Sequence, residues 1–522
     1  MAHHRAHSPM LECELKLLID RKDQAELPKS ACIAQLLQEP FKRKRVQNAY
    51  FDTPDADLRQ RGMELRVRRI DRQWIQTLKI RQAGGAAVHR REEIETPVSG
   101  PTPVPALLIE AGAPDALVQA IGDAGLECLF ETVYWRRSAI LKAAGGNIIE
   151  LCLDVGETRA GERVREISEI EMELKQGAND ALYNLAEELA QTFDLRINSR
   201  TKPDLGYGML RDERPEPVYD HVHRIDSGES AEAAFQHFLE ECARHAFAND
   251  RTILETDNIE GVHQMRVGLR RFRACLNLFK PLLPGKAVRA AGDLISPLQQ
   301  ALGPARDWDV FIRDRIDRFP QTDDAMTELR ALAVVERDQA YASLRELLNT
   351  TDHHRSLLTL LSWIGRRGWR EALSAKQLGE LERPIDAFVK EALQRTRAKA
   401  LKRGRKLADL SPKQLHQLRI VVKKHRYPVD FFAASFAGKR GRVYAAALKK
   451  LQTDLGRVND VTVSGDLIAK LDPPKRLQPT VKILLARAEE DRLNSLSKLP
   501  ERWRAFRKQR PFWKGSLGAK QK

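Results

Sequence analysis

The sequence predicts a multidomain α+β chain. Its N-terminal half reads as an antiparallel sheet closed on itself, and its C-terminal half as an all-α, duplicated helical bundle. Three observations carry this expectation. Charged side chains recur at every second position on one N-terminal segment after another. The chain turns to helical periodicity after Ser230. A set of residues in the helical half returns at a constant offset of 153 positions. At 522 residues the chain exceeds one typical hydrophobic core.

The charge is unevenly placed. Residues 1–215 hold 31 Lys+Arg against 34 Asp+Glu, a net of −3, so the overall +16 leaves +19 for residues 216–522. A domain that basic expects a polyanionic partner: nucleic acid, an anionic membrane or a phosphate polymer. No apolar run is long enough to span a bilayer, and the N-terminus has no apolar signal core. The six cysteines form no CxxC pair, which points to reduced thiols in a cytoplasmic protein. Residues 1–9 read as a disordered His-rich leader, with His3, His4 and His7 assigned no metal.

Taken in order, residues 10–20 read as a strand. Leu11, Cys13, Leu15 and Leu17 face one side, and Glu12, Glu14 and Lys16 the other. A short helix is expected over 25–39, followed by the basic run Lys42–Arg45 and an extended segment at 47–51 that ends in the turn Asp52-Thr53-Pro54. Residues 63–69 and 74–80 alternate as strands, a glycine-containing hairpin connects 81–88, and Arg91, Glu93 and Glu95 share a face. A helix is expected at 114–124, strands at 130–141, 148–155 and 163–174, and a helix over 179–193. Glu12/Glu14/Lys16, Arg66/Arg68, Thr77/Lys79, Arg91/Glu93/Glu95 and Glu169/Glu171/Glu173 thus form same-face polar rows. Such rows fit a closed sheet with a charged interior better than a flat sheet with one wet face. An interior of both signs suits a polyanion with a divalent cation: carboxylates are hard ligands for Mg²⁺ or Mn²⁺, and Arg and Lys hold phosphate.

Glu12-x-Glu14-x-Lys16 is followed in order by Tyr50-Phe51-Asp52-Thr53, Leu65-Arg66-Val67-Arg68, Thr77-Leu78-Lys79, Arg91-x-Glu93, Arg136, residues 150–154, Glu169-Ile170-Glu171-Met172-Glu173 and Ser199-Arg200-Thr201-Lys202. This series resembles the CYTH family, the triphosphate tunnel metalloenzymes, over about residues 10–210. The resemblance implies an eight-stranded β-tunnel that hydrolyses or cyclises triphosphate compounds. It implies catalytic roles for Glu12, Glu14, Lys16, Lys79, Glu169 and Glu171. By the same match Glu12, Glu14, Glu169, Glu171 and Glu173 would hold metal, with Asp154 a weaker acidic candidate. Lys16, Arg66, Arg68, Lys79, Arg91, Arg136, Arg165 and Lys202 would hold substrate phosphates, with Arg43 or Lys44 adding a looser contact.

Residues 211–227, rich in Pro and charge, read as the linker, and a helical domain is expected over 228–510 with a tail at 511–522. Val262, Met265, Leu269, Phe272 and Leu276 make an apolar stripe. His263, Arg266, Arg270 and Arg273 make a basic ridge beside it. His416, Arg419, Lys423 and Arg426 repeat that ridge 153 positions on. The offset persists through Leu298-Gln299 and Leu302-Gly303, then Asp307 and Val310, which return as Leu451-Gln452, Leu455-Gly456, Asp460 and Val463. Arg306 returns as Asn459. This indicates an internal duplication whose two ridges face a shared groove. The two His-x-x-Arg ridges resemble the CHAD domain, the conserved histidine α-helical domain, over about 228–510. That resemblance implies inorganic polyphosphate binding by the eight ridge residues, with Lys280, Lys286, Arg289, Lys439, Arg442, Lys449 and Lys450 as weaker additions. Trp503, Phe506, Phe512 and Trp513, interleaved with basic residues, suit either RNA contact or a final helix packed on the bundle.

The leading expectation is a cytoplasmic, Mg²⁺- or Mn²⁺-dependent inorganic triphosphatase that yields pyrophosphate and phosphate. Its C-terminal domain would bind polyphosphate, with association to polyphosphate granules a further option. The alternatives are a thiamine or nucleoside triphosphatase or an adenylate cyclase on the same tunnel, a non-catalytic polyphosphate-binding protein, and an RNA-binding protein.

Overall fold

The structure is a computed structural model. It describes residues 12–70, 73–81, 88–198, 200–211, 214–220, 225, 228–319, 324–436 and 439–515; the side chains of residues 12, 13, 70, 81, 88–92, 211, 459 and 460 are outside that description. The expected leader at 1–9, the hairpin connection at 82–87, Ser199 and most of the tail therefore lie outside the described residues, as does part of the linker. The chain divides into two compact units: residues 1–216 with 349–368, and residues 217–348 with 369–522.

The first unit is built on nine strands: β1 (Glu12–Leu18), β2 (Lys42–Asp52), β3 (Met63–Ile70), β4 (Gln73–Arg81), β5 (Val88–Val98), β6 (Glu127–Ala143), β7 (Asn147–Ala160), β8 (Arg163–Gln176) and β9 (Arg196–Ile197). They form one antiparallel sheet in the order β5-β4-β3-β2-β6-β7-β8-β1-β9. β1 also pairs with β5, Glu12 opposite Arg91 and Leu15 opposite Val88. Its other edge pairs with β8, Lys16 opposite Glu171.

The helices of this half are α1 (Arg21–Glu26), α2 (Ala31–Leu36), α3 (Asp57–Gln60), α4 (Pro105–Glu110), α5 (Ala116–Ile121), α6 (Asp180–Leu189) and α7 (Lys202–Arg211). Strict alternation decides their place. Leu65, Val67 and Leu78 are buried on one face of β3 and β4 in a cluster with Leu58 of α3, Leu108 of α4 and Leu117 of α5. Burying that apolar face under helices leaves the alternate polar residues on the opposite face. At Gly156 of β7 an added Cβ would lie 2.2 Å from the Val133 carbonyl oxygen of β6, so only glycine lets these strands approach as they do.

Two elements differ from expectation. The helix expected over 25–39 is broken into α1, a 3₁₀ turn at Leu27–Lys29 and α2, with Pro28 inside that turn. No element is expected over 202–210, and the structure has the helix α7 there. Its Tyr207 and Met209 are buried with Tyr50, Phe130 and Ala160, Gly206 meets the Phe130 ring, and the Tyr207 hydroxyl donates to Asp52 at 2.7 Å. Local composition hid a helix that tertiary burial stabilises.

The later helices are α8 (Ala231–Phe247), α9 (Asp250–Glu255), α10 (Ile259–Phe279), α11 (Gly285–Leu294), α12 (Ser296–Phe311), α13 (Asp324–Leu348), α14 (Thr351–Gly365), α15 (Ala375–Glu382), α16 (Ile385–Arg403), α17 (Pro412–Phe432), α18 (Arg440–Leu471) and α19 (Gln478–Lys508). α14 belongs to the first unit. There Ser362 donates to Asn184 of α6 at 2.8 Å, and Arg355 donates to the Ala190 carbonyl at 3.0 Å.

The second unit is helical. One core joins Trp308, Phe311 and Ile316 to Leu329 and Ala333 of α13, Ile468 of α18 and Val481 and Leu484 of α19. α10 packs so closely on α8 that a Cβ at Gly268 would lie 2.7 Å from the Ala246 nitrogen. Trp503, Phe506, Phe512 and Trp513 are all buried; Trp503 packs tilted on Phe506, Phe506 and Trp513 stand edge-on to Tyr444 and His425, and Phe512 stands edge-on to Trp513. Their faces are spent on packing, so stacking on RNA bases is excluded for them. Among the described residues no helix is long and apolar enough to cross a membrane, and Cys32, Cys128, Cys152, Cys242 and Cys275 are free thiols.

Candidate functional sites

The polar face of the first unit carries a buried charge network. Cross-strand register creates it. Asp154 of β7 stands opposite Glu169 of β8, and Glu171 stands opposite Lys16 of β1. The carboxylates of Asp154, Glu169 and Glu171 offer three oxygens that all lie within 4.8 Å of one another. Three cations enclose them. Lys202, at the start of α7, reaches Asp154 at 2.7 Å and Glu171 at 2.9 Å and also binds Glu169. Arg136 of β6 grips Asp154 through Nε at 2.7 Å and Nη2 at 2.6 Å, and binds Glu171. Lys16 binds Glu171 and lies 3.4 Å from Glu14. Asn198 donates its amide to Glu169 at 2.7 Å.

These contacts set the ionisation states. Burial opposes charge on Glu171, but Lys16, Lys202 and Arg136 overcome it and hold its carboxyl well below the usual range. Burial wins at Glu169 and raises it, against Lys202 and Lys16. Burial also works against charge on Lys202, Lys16 and Arg136, yet the surrounding carboxylates push all three above their ordinary values.

A second, more basic group lies on β3 to β5. Arg66 and Lys79 reach Glu93 at 3.1 and 3.0 Å, while the Arg68 Nε donates to Asn48 at 2.9 Å. Arg68 is held below the usual arginine range by burial and then by its like-charged neighbours Arg66 and Arg136. Positive charge is locally in excess there, as an anion-binding wall requires.

Of the residues singled out from the sequence, the fold gathers Glu14, Lys16, Glu169, Glu171, Arg136 and Lys202 in one network and Arg66, Arg68 and Lys79 in another. Glu12 and Arg91 stand opposite each other on paired strands, but their side chains lie outside the described residues. Glu173 is not among the clustered carboxylates: it pairs with Lys175 at 2.6 Å, and Lys175 also reaches Glu150 at 3.0 Å. Arg165 is exposed near the start of β8. Asp154, the weaker acidic candidate of the sequence reading, is the third carboxylate of the cluster. Asn198 went unnoticed, since a lone amide beside a two-residue strand carries no periodic signal. The donor set of two buried carboxylates, Asp154 and Glu169, and the partly buried Glu171 fits a hard divalent cation.

In the second unit the ridges of α10 and α17 come together. Burial lowers Lys423 to about 8, together with Arg270, Arg419, Arg266 and Arg426. Burial and the cations Arg426, Arg266 and Arg419 likewise lower Arg270, against Tyr427, and the buried Arg270 Nε has no hydrogen-bond partner. Five cations drawn from both ridges thus share one field. His263 is pushed down to about 4 by burial and then by Arg306, so it is neutral at pH 7. His416 is exposed. Arg273 is exposed and donates to the Gly292 carbonyl at 3.1 Å, and Arg426 pairs with Asp430 at 2.9 Å. The weaker additions Lys280, Lys286, Arg289, Lys439, Arg442, Lys449 and Lys450 are all exposed.

Comparison with known proteins gives family matches on both halves: the CYTH domain over residues 10–206 and the CHAD domain over 237–469. The inorganic triphosphatase of Haemophilus influenzae is 31% identical over 201 residues, which cover 38% of this chain and 54% of that protein, so the chain spans about half the length of that relative. An uncharacterized protein of Mycobacterium tuberculosis is 27% identical over 479 residues, 83% of each chain. Among solved structures, the CHAD domain from the plant Ricinus communis is 27% identical and covers 58% of this chain and 99% of its own, with a TM-score of 0.46. The chain thus carries a CYTH domain at residues 10–206 followed by a CHAD domain at residues 237–469.

Proposed function

We propose that this protein is a metal-dependent inorganic triphosphatase, cleaving triphosphate to pyrophosphate and phosphate, and that its CHAD domain binds polyphosphate. The observation that carries the reading is the largely buried cluster of Asp154, Glu169 and Glu171 enclosed by Lys16, Arg136 and Lys202. The H. influenzae relative, named as an inorganic triphosphatase, favours the same substrate. We read the β1–β5 pairing as closing eight strands into a tunnel with the charged rows inside.

In this reading Asp154, Glu169 and Glu171, with Glu14 and Glu12 from β1, hold Mg²⁺ or Mn²⁺. The cation would neutralise phosphate oxygens and lower the pKa of an attacking water. Arg66, Arg68 and Lys79 on the basic wall, with Arg91 of β5 by the resemblance, bind the phosphate chain, and Lys16, Arg136 and Lys202 bind the phosphoryl group nearest the acids. Their charges oppose the four or more negative charges of triphosphate and orient it for in-line attack. No nucleophilic side chain is required. Arg165, at the exposed end of β8, would act at most on the entering chain.

In the second unit, α10 and α17 are both 21 residues long and begin at 259 and 412, 153 residues apart. That supports the duplication. The cations gathered from both ridges, with a buried arginine nitrogen left unpaired, suit a phosphate polymer that brings the missing negative charge.

The test is phosphate release from triphosphate, ATP, thiamine triphosphate and long-chain polyphosphate, with Mg²⁺ or Mn²⁺. Triphosphate should be the preferred substrate; no release from any of them would overturn the enzyme reading. Glu12→Gln with Glu14→Gln should abolish turnover and leave polyphosphate binding intact. Alanine at Arg266, Arg270, Arg419 and Lys423 should do the reverse.

A further inference from the structure

The three carboxylates best placed to hold a metal already hold a cation belonging to the chain. Lys202 Nζ lies 2.7 Å from Asp154 and 2.9 Å from Glu171 and also binds Glu169, so it touches every member of the cluster. It is 5% exposed, with its ammonium 4.8 Å from the centre of the Tyr134 ring. A divalent cation bound by the same oxygens would stand where this ammonium stands, and two cations cannot share that space.

The local charge makes the conflict specific. Glu14, Asp154, Glu169 and Glu171 supply four negative charges when ionised, and Lys16, Arg136 and Lys202 supply three positive ones. A divalent ion arriving alone therefore enters a nearly neutral site. Triphosphate adds four or more negative charges and gives Lys202 an alternative partner. The backbone need not move for that exchange. α7 is tied down independently of the lysine head: Asp204 accepts from the Thr201 amide at 2.9 Å, and Tyr207 donates to Asp52 at 2.7 Å. A lysine's four-carbon stem can swing its ammonium from carboxylate to phosphate.

We propose that the Lys202 ammonium is an internal substitute for the divalent cation, so that the site takes up metal only as Lys202 releases Asp154, Glu169 and Glu171, a release that triphosphate promotes. The inference rests on the metal-site reading above and adds an order to binding: metal alone binds weakly, and metal and triphosphate bind cooperatively. Linkage requires that each tighten the other by the same factor.

The test is Mn²⁺ binding to the full chain, followed by electron paramagnetic resonance of free Mn²⁺, with and without the non-hydrolysable imidotriphosphate. Wild type and Lys202→Met are compared. Mn²⁺ alone should bind the variant about 10-fold or more tightly than wild type, and imidotriphosphate should tighten Mn²⁺ binding by at least about that factor in wild type but much less in the variant. Equal Mn²⁺ affinity in the two proteins, with no enhancement by imidotriphosphate in wild type, would overturn the inference while leaving the metal site standing. Absence of Mn²⁺ binding under every condition would overturn the metal-site reading along with it. Thermal unfolding gives a second measurement. Without Mn²⁺ the variant leaves buried carboxylates uncompensated and should melt below wild type, and Mn²⁺ should raise its midpoint by more than it raises that of wild type. An equal rise in both would count against the inference.

Discussion

Binding of polyphosphate to the second unit should be accompanied by proton uptake at Lys423. In the free protein this lysine is lowered to about 8 by burial and by Arg270, Arg419, Arg266 and Arg426. At pH 8 it is therefore about half deprotonated, and at pH 7 less than about a tenth. A polyanion lying among these cations removes their repulsion and returns Lys423 toward the ordinary lysine value of about 10.4. The sign follows directly: the bound state holds more protons, so binding takes up about 0.5 proton at pH 8 and less than about 0.1 at pH 7. His263, lowered to about 4 in the free protein, does not interfere, because even an unperturbed histidine is only about 3% protonated at pH 8. Titration calorimetry with long-chain polyphosphate in Tris and in HEPES measures this quantity from the change in apparent enthalpy with buffer. Lys423→Met should bind more weakly and take up no proton at pH 8. No uptake by the wild type at pH 8, or the same uptake by Lys423→Met, would refute the reasoning.

Other perturbations report on the framework. Asp154→Asn removes a partner from both Arg136 and Lys202 in a buried network; it should cost roughly 3–5 kcal/mol in a denaturant titration, and an unchanged midpoint would mean the network does not bear on stability. Gly268→Ala places a Cβ within 2.7 Å of the Ala246 nitrogen and should destabilise the second unit by about 1–3 kcal/mol, whereas a neutral effect would show that α8 and α10 have room to spare. Ser362→Ala with Arg355→Ala deletes the bonds to Asn184 and the Ala190 carbonyl. At about 1 kcal/mol per bond, hydrogen exchange should quicken across α6 and the turn after it, and unaltered exchange there would exclude α14 as their support.

Much of the candidate site was legible because strand geometry is local. Alternation at every second residue decides which side chains share a face wherever the strand goes, so Glu14, Lys16, Arg66, Arg68, Lys79, Glu169 and Glu171 could be placed on a polar face from the sequence alone. The helical stripes at His263–Arg273 and His416–Arg426 follow from an equally local period, and the five cations that share a field were all named in advance. Alternation puts Glu173 on the same face as Glu169 and Glu171 but says nothing about which cross-strand partners each one meets. Glu173 lies beside Lys175 and Glu150, one pair further along than the cluster.

Which charges meet was decided by the tertiary structure. Register sets Asp154 opposite Glu169 and Lys16 opposite Glu171, and register depends on contacts between segments far apart in the chain. α7 was invisible because Pro203, Gly206 and Gly208 are poor helix formers and blur its period; burial of Tyr207 and Met209 against Tyr50 and Phe130 supports it as a helix that can carry Lys202 inward. α14 shows the same limit, since nothing in its own sequence says that it packs on α6 rather than on its neighbours in the chain. The sequence by itself determined the chemistry of the faces, because backbone periodicity acts within a segment. The tertiary structure alone decided that three carboxylates converge on one lysine, because that meeting is made by the pairing of β7, β8 and β1 and by the burial that fastens α7 against them.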